Sequence, residues 1–251
     1  MEQTLVNARP DALDHPAGDH AGGRSIARAG DALQPLSPVV LEERKLIHRN
    51  DSVRAQADAF RSLRTKLLAL GQDRNLVILV APVQPGCGGS FVARNLAAAF
   101  AFDESKTVLL VDCDALHPVQ HASLGVDVAG GGVMDYLDGS VADLSAIQYD
   151  TGLPRLTLVP SGRPRETAGE YFSSSRMRMM VDSLRGTDAG RYVIIDSPPI
   201  LNSPDARILS DLADLIVVVA GYGQAAVERI DEAAASFDPD KLAGVVFNNI
   251  Y

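Results

Sequence analysis

The chain has little cysteine, little positive charge and no long apolar run, and each shortage narrows what it can be. Cys87 and Cys113 are its two cysteines in 251 residues. That is too few for a disulfide-stapled fold and suits a reducing cytoplasm. Lys and Arg number 23 against 32 Asp and Glu, for a formal net charge of −9. With a pI near 5.0, the chain lacks the clustered cations on which nucleic-acid binding depends. No apolar stretch approaches the roughly 18 residues that span a bilayer. The opening segment, MEQTLVNARPDALDHPAGDH, has no apolar signal-peptide region. What remains is 46% hydrophobic with a mean hydropathy of +0.04, enough to bury a core without staples. A soluble cytoplasmic protein is expected.

Residues 1–50 are rich in Ala, Asp, Gly, Pro and His and show no sustained apolar period. They read as a mostly disordered tail, with Leu36 to Leu41 as an apolar stretch suited to docking on the domain or on a partner. A domain is expected over 51–251. Its first helix is marked by Ala55, Ala59, Phe60, Leu63, Leu67 and Leu70 at helical spacing, with Ser52 available as a cap. Strands are expected at Leu76–Val80, Val108–Val111, Leu156–Val159, Tyr192–Ile195, Leu215–Val219 and Val245–Phe247. Runs apolar throughout fit strands buried on both faces of a parallel sheet. Helical patterns fall near 90–102, 168–185, 205–213 and 224–236. The alternation implies a doubly wound, mostly parallel α/β layer fold, which binds ligands at the carboxyl ends of its strands.

The most telling absence is a single lysine. Pro85-Gly86-Cys87-Gly88-Gly89-Ser90 follows the first strand and opens a helix, where a phosphate-binding loop belongs. In G-x-x-x-x-G-K-[ST], backbone amides cradle phosphates, the lysine reaches the β/γ-phosphates and the hydroxyl holds Mg²⁺. Gly88 and Ser90 match, Val83 stands for the first glycine, and Gly89 stands where the lysine belongs. Asp112-Cys113-Asp114 follows the second strand and Asp196-Ser197-Pro198-Pro199 the fourth. Aspartates at those ends suit Mg²⁺, which prefers hard oxygen ligands. Charge-assisted bonds to a phosphate are worth about 1.5–3 kcal/mol each. Losing the lysine therefore costs about tenfold to several hundredfold in affinity, and transition-state stabilisation besides. Arg94 lies one helical turn past Ser90 and points beyond the phosphates; Arg61 or Arg64 would have to act across an oligomer interface. Cys87 and Cys113 read as buried small hydrophobes, and His117 and His121 as an i, i+4 pair without a third metal ligand.

Together these motifs resemble the cytoplasmic domain of bacterial tyrosine kinases (BY-kinases), within the MinD/ParA-like P-loop ATPases, over about residues 52–249. Asp58, Arg61 and Arg64 match the family's E-x-x-R-x-x-R oligomerisation helix, with Asp for Glu. Pro85 to Ser90 resembles P-G-E-G-K-S, and Asn95-Leu96-Ala97 the N-L-A that follows. Val108 to Asp114, with Pro118 and His121, resembles the second Walker-type motif. Glu170-Tyr171-Phe172-Ser173-Ser174 resembles E-L-L-x-S, Tyr192 to Pro199 the Walker B motif, and Gly244 to Asn248 the final strand. The departures are Gly89 for lysine, Ala115-Leu116-His117 for basic residues, Phe91 for Thr, and no C-terminal tyrosine cluster before Tyr251.

The resemblance implies nucleotide contacts from Gly86, Cys87, Gly88, Gly89, Ser90 and Asn248. It implies Mg²⁺ ligation by Ser90, Asp112 and Asp196, and vestigial catalytic roles for Asp112, Asp114 and Asp196. Mg-ATP or Mg-ADP would bind weakly at most. The expected function is a pseudokinase in exopolysaccharide synthesis or export, recruited to the inner membrane face by a Wzz-like chain-length determinant and able to form homo-oligomers through Asp58, Arg61 and Arg64. An active atypical kinase or ATPase, or a MinD/ParA-type positioning ATPase, are the alternatives; nucleic acid is not an expected partner.

Overall fold

The expected runs become strands because each is apolar on both faces. The computed structural model describes residues 36–48, 54–72, 74–187 and 189–248; the tail before Leu36 and the expected Ser52 cap lie outside them. Its strands are β1 (Val77–Pro82), β2 (Thr107–Asp112), β3 (Tyr149–Asp150), β4 (Leu156–Val159), β5 (Arg191–Asp196), β6 (Leu215–Gly221) and β7 (Leu242–Asn248). They form one sheet in the order β3-β4-β2-β5-β1-β6-β7. Every neighbouring pair is parallel except β3–β4. The helices are α1 (Pro38–Glu43), α2 (Arg54–Gly71), α3 (Gly89–Ala101), α4 (Gln120–Leu124), α5 (Val133–Leu137), α6 (Ala168–Phe172), α7 (Ser175–Arg185), α8 (Asp205–Ser210) and α9 (Val227–Ala234).

Alternate residues of a strand face opposite sides of the sheet, and β1 shows the result. Val77, Leu79 and Ala81 join Met177, Leu209 and Ile230 of α7, α8 and α9 in one apolar layer. Ile78 and Val80 join Phe60, Leu67, Leu96 and Phe100 of α2 and α3 in the other. Fully burying each such Leu or Phe contributes about 1.5–3 kcal/mol. On α3 the run Ala97-Ala98-Ala99 is buried against the sheet, where its small side chains let helix and strands approach closely. Phe100 and Tyr192 of β5 meet with ring centroids 4.7 Å apart.

Besides the short helices α1, α4 and α5, where none was expected, the observed elements differ from the expected ones in three places. The expected helix over 168–185 is two, because Ser174 leaves the helical conformation and its Oγ accepts from the Met177 amide as an N-cap. Strand β3 has two residues and pairs antiparallel, too short to leave an alternating pattern. Within the stretch expected as a tail, the described residues 36–48 pack on the domain. Leu36 donates its amide to the Gly152 carbonyl, Leu41, Leu46 and Ile47 are buried, and Asn95 of α3 holds the segment. Asn95 accepts from the Ile47 amide at 2.8 Å and donates to the Lys45 carbonyl at 3.0 Å. Of the two options open to the Leu36–Leu41 stretch, it docks on the domain.

Candidate nucleotide-binding site

The carboxyl ends of β1, β2 and β5 meet at one edge of the sheet, as the strand order requires. Asp112 and Asp196 are register partners on adjacent strands, and the Cys113 amide donates to the Asp196 carbonyl at 2.8 Å. The loop after β1 folds through Gly86 and Gly88 at φ of 84° and 81°, the left-handed region that favours glycine. Gly88 is the N-cap of α3 without a side-chain bond of its own, so the amides of the first turn are free of side-chain partners from the cap. Asn248 at the end of β7 donates to the Cys87 carbonyl at 3.1 Å, and Gln84 donates to the Gln224 carbonyl. These bonds fix the loop from the β6–β7 side. Beside it opens a cleft of about 720 Å³ lined by Gly86, Ser90, Asp114, Leu116, Arg165 and Asn202, among others.

The two aspartates differ in what they are free to do. Asp112 is committed: its Oδ2 accepts from the Val119 and Gln120 amides at 3.1 and 3.0 Å, and its Oδ1 from the Asp114 amide at 3.2 Å. Those bonds start α4 and shape the turn after β2. Asp196 takes one strong bond, from Gln120 Nε2 to Oδ2 at 2.7 Å. Its Oδ1 is buried without a hydrogen-bond partner, with the Ser90 side chain adjoining the carboxylate. Burial, followed by the nearby Asp196 charge, holds Asp112 well above the usual carboxylate range. Burial likewise pushes Asp196 up to about 7, against the lowering effect of Gln120. Position 89 supplies no cation to offset this pair. Arg94 is felt by Asp196, but its guanidinium carbon lies 5.5 Å from the Phe91 ring centroid, stacked along the helix side.

The other residues singled out in the sequence take structural positions. Asp114 lines the cleft, and its Oδ1 accepts from the His117 amide at 2.9 Å. Cys87 and Cys113 are free thiols, both buried. Among the described residues no group of three or more His, Cys, Asp or Glu is placed to hold a metal. On α2, Arg61 pairs with Asp58 at 2.7 Å on the exposed face. Arg64 instead donates to the Ala99 carbonyl at 2.8 Å, satisfying the end of α3.

Two residues of the site carry no motif. Gln120 is fully buried and bridges the Ser90 carbonyl and Asp196. No sequence pattern marks a glutamine eight residues past an aspartate. Pro82 ends β1 and packs on Gly89. A proline in what reads as a central strand is unusual, and that signal was available.

No family model matches the chain, but individual proteins do. The tyrosine-protein kinase Wzc of Salmonella typhimurium is 32% identical over 199 residues, which are 77% of this chain and 27% of that protein. This chain is a relative of bacterial tyrosine kinases. The tyrosine-protein kinase CpsD of Streptococcus agalactiae is 28% identical over 193 residues, covering 76% of this chain and 82% of that one. The chain thus spans about a quarter of Wzc's length and most of CpsD's. Among solved structures, the BceF tyrosine kinase domain superposes with a TM-score of 0.69 at 26% identity, over 88% of this chain and 93% of that one. The cell-division ATPase MinD of Pyrococcus furiosus shares the fold at a TM-score of 0.55 and 22% identity, over 70% of this chain and 72% of its own. Among the described residues, no helix is long and apolar enough to cross a membrane.

Proposed function

We propose that this BY-kinase-like protein is a pseudokinase of exopolysaccharide synthesis or export. It would work in the cytoplasm as a regulatory partner of a membrane chain-length determinant protein. The observation that carries this reading is the pairing of Gly89 with two buried, register-matched aspartates. The carboxylates that would hold a metal remain, while the loop cation that would hold the phosphates does not.

Ser90 and Asp196 fit Mg²⁺ best, since Asp196 keeps an unpartnered buried oxygen. Asp112 fits less well, because three backbone amides already occupy its carboxylate. When bound, Mg²⁺ would neutralise charge between neighbouring phosphates. The chain's own contribution stops at the amides of Gly86 to Ser90 and the orientation of Asp196 by Gln120. Asn248 acts on the nucleotide only through the loop it holds. Asp58 and Arg61, on the open face of α2, are the pair left for contact with a second copy, with Arg64 held back by α3.

The test is phosphotransfer. Purified protein is incubated with radiolabelled Mg·ATP, alone and with a tyrosine-rich peptide, beside the Asp112→Ala and Asp196→Ala variants. No label above the variants is expected. Incorporation into tyrosine that either variant abolishes would establish an active kinase and end the pseudokinase reading.

A further inference from the structure

We infer that Pro82 is the residue that restricts position 89 to glycine, so that the loop admits no side chain there, lysine included. A Cβ placed on Gly89 would lie 2.7, 2.8 and 2.9 Å from Cγ, Cδ and Cβ of Pro82. Ordinary van der Waals contact begins near 3.5 Å. A long side chain could swing its far end away, but a proline ring is closed onto its own backbone nitrogen and can only change pucker.

Neither backbone is free to retreat. The Pro82 carbonyl accepts from the Ile200 amide at 2.9 Å, and the next amide, Val83, donates to Val219 at 2.9 Å. Pro82 is also in register with Val219 of β6. On the other side, Gly89 is buried at the start of α3, and the Gly88 carbonyl accepts from the Val92 amide at 3.0 Å.

The conformation of Gly89 does not itself require glycine. Gly86 and Gly88 have positive φ, whereas Gly89 is absent from that group and lies in the helix. Gly86 shows the converse: its Cβ would meet only Gln224 Oε1 at 3.9 Å. Backbone conformation restricts Gly86, and a neighbour restricts Gly89. A helical position without this neighbour would favour alanine over glycine. Two positions, not one, therefore separate this loop from one that carries a lysine. The steric lock stands on geometry; its consequence for nucleotide rests on the pseudokinase reading above.

Thermal unfolding of wild type, Gly89→Ala, Pro82→Gly and the double variant tests the lock. With Pro82 present, Gly89→Ala is expected to lower Tm by roughly 3–10 °C, the effect of overpacking in a domain this size. In the Pro82→Gly background, where all three contacting atoms are gone, the same exchange is expected to raise Tm or leave it unchanged. Equal effects in the two backgrounds would overturn the inference. Should Pro82→Gly not purify, Pro82→Ala, which removes two of the three contacts, is expected to reduce the loss of Tm caused by Gly89→Ala. An undiminished loss would count against the inference. Titration of Gly89→Lys and Pro82→Gly/Gly89→Lys with Mg·ATP then tests the consequence. The double variant is expected to bind at least about tenfold tighter, the lower value of a restored phosphate–cation bond. A thermal cycle that flips sign while both lysine variants bind equally poorly would keep the lock and remove the missing lysine as the cause of weak binding.

Discussion

Asp196→Asn should stabilise the protein at pH 8 and flatten its stability between pH 5 and 8. Burial pushes Asp196 up to about 7, against roughly 3.9 for an aspartate in the unfolded chain. Between those values the folded state keeps a proton that the unfolded state has released. Stability from this group is therefore full below about pH 4 and is lost as pH rises through about 7. A gap of about three pH units at about 1.4 kcal/mol each amounts to about 4 kcal/mol. Asp112 belongs to the same buried cluster and is also raised, so the share that Asp196 alone controls is smaller, about 2 kcal/mol. That corresponds to about 4–8 °C in Tm for a domain of this size. Asparagine keeps the geometry, because its side-chain oxygen accepts from Gln120 Nε2 as Asp196 Oδ2 does. Asp103, Asp138 and Asp143 have pKa values lowered by their serine partners; they finish ionising below this window and do not confuse it. Urea midpoints at pH 5, 6.5 and 8 provide the assay. The wild-type midpoint is expected to fall with pH and the variant's to fall less, ending higher at pH 8. A wild type that gains stability from pH 5 to 8, or a variant that runs parallel to it, would refute the reasoning.

Two further exchanges probe how the site is supported. Asn95→Ala removes three bonds at once, to the Ile47 amide and the Lys45 and Phe91 carbonyls. It should cost about 2–4 kcal/mol, seen as faster amide exchange and proteolysis in 36–48 before the rest of the chain. Ser174→Ala removes the N-cap of α7, 3.2 Å from the Met177 amide. A loss of about 1 kcal/mol in urea unfolding is expected, with no change at the sheet edge that carries Asp196.

The sheet was legible because burial on both faces leaves unbroken apolar runs: Val108–Val111 and Leu215–Val219 sit in β2 and β6 as read. The convergence of the loop, Asp112 and Asp196 was legible because strand ends share one edge. Elements set by tertiary contacts left no signal. Helix α4 starts where Asp112 accepts the Val119 and Gln120 amides, a bond from another element that no local pattern encodes. The break at Ser173–Ser174 was hidden because serine is tolerated within helices and favoured at their starts. Arg64 looked like its neighbour Arg61 in sequence, yet the twist of α2 turns it onto the end of α3. The Pro82–Gly89 contact joins two residues on either side of the loop, so the missing lysine and the unusual proline were each readable and their contact was not.

Calorimetric titration of the purified chain with ATP and ADP, with and without Mg²⁺, tests the central claim most directly. A loop that keeps its amides but has no cation at position 89 should give no measurable heat up to about millimolar nucleotide, since a lost charge-assisted bond costs up to several hundredfold in affinity. Micromolar, Mg²⁺-dependent binding would contradict the account and return Asp112, Asp196 and Ser90 to a working nucleotide site.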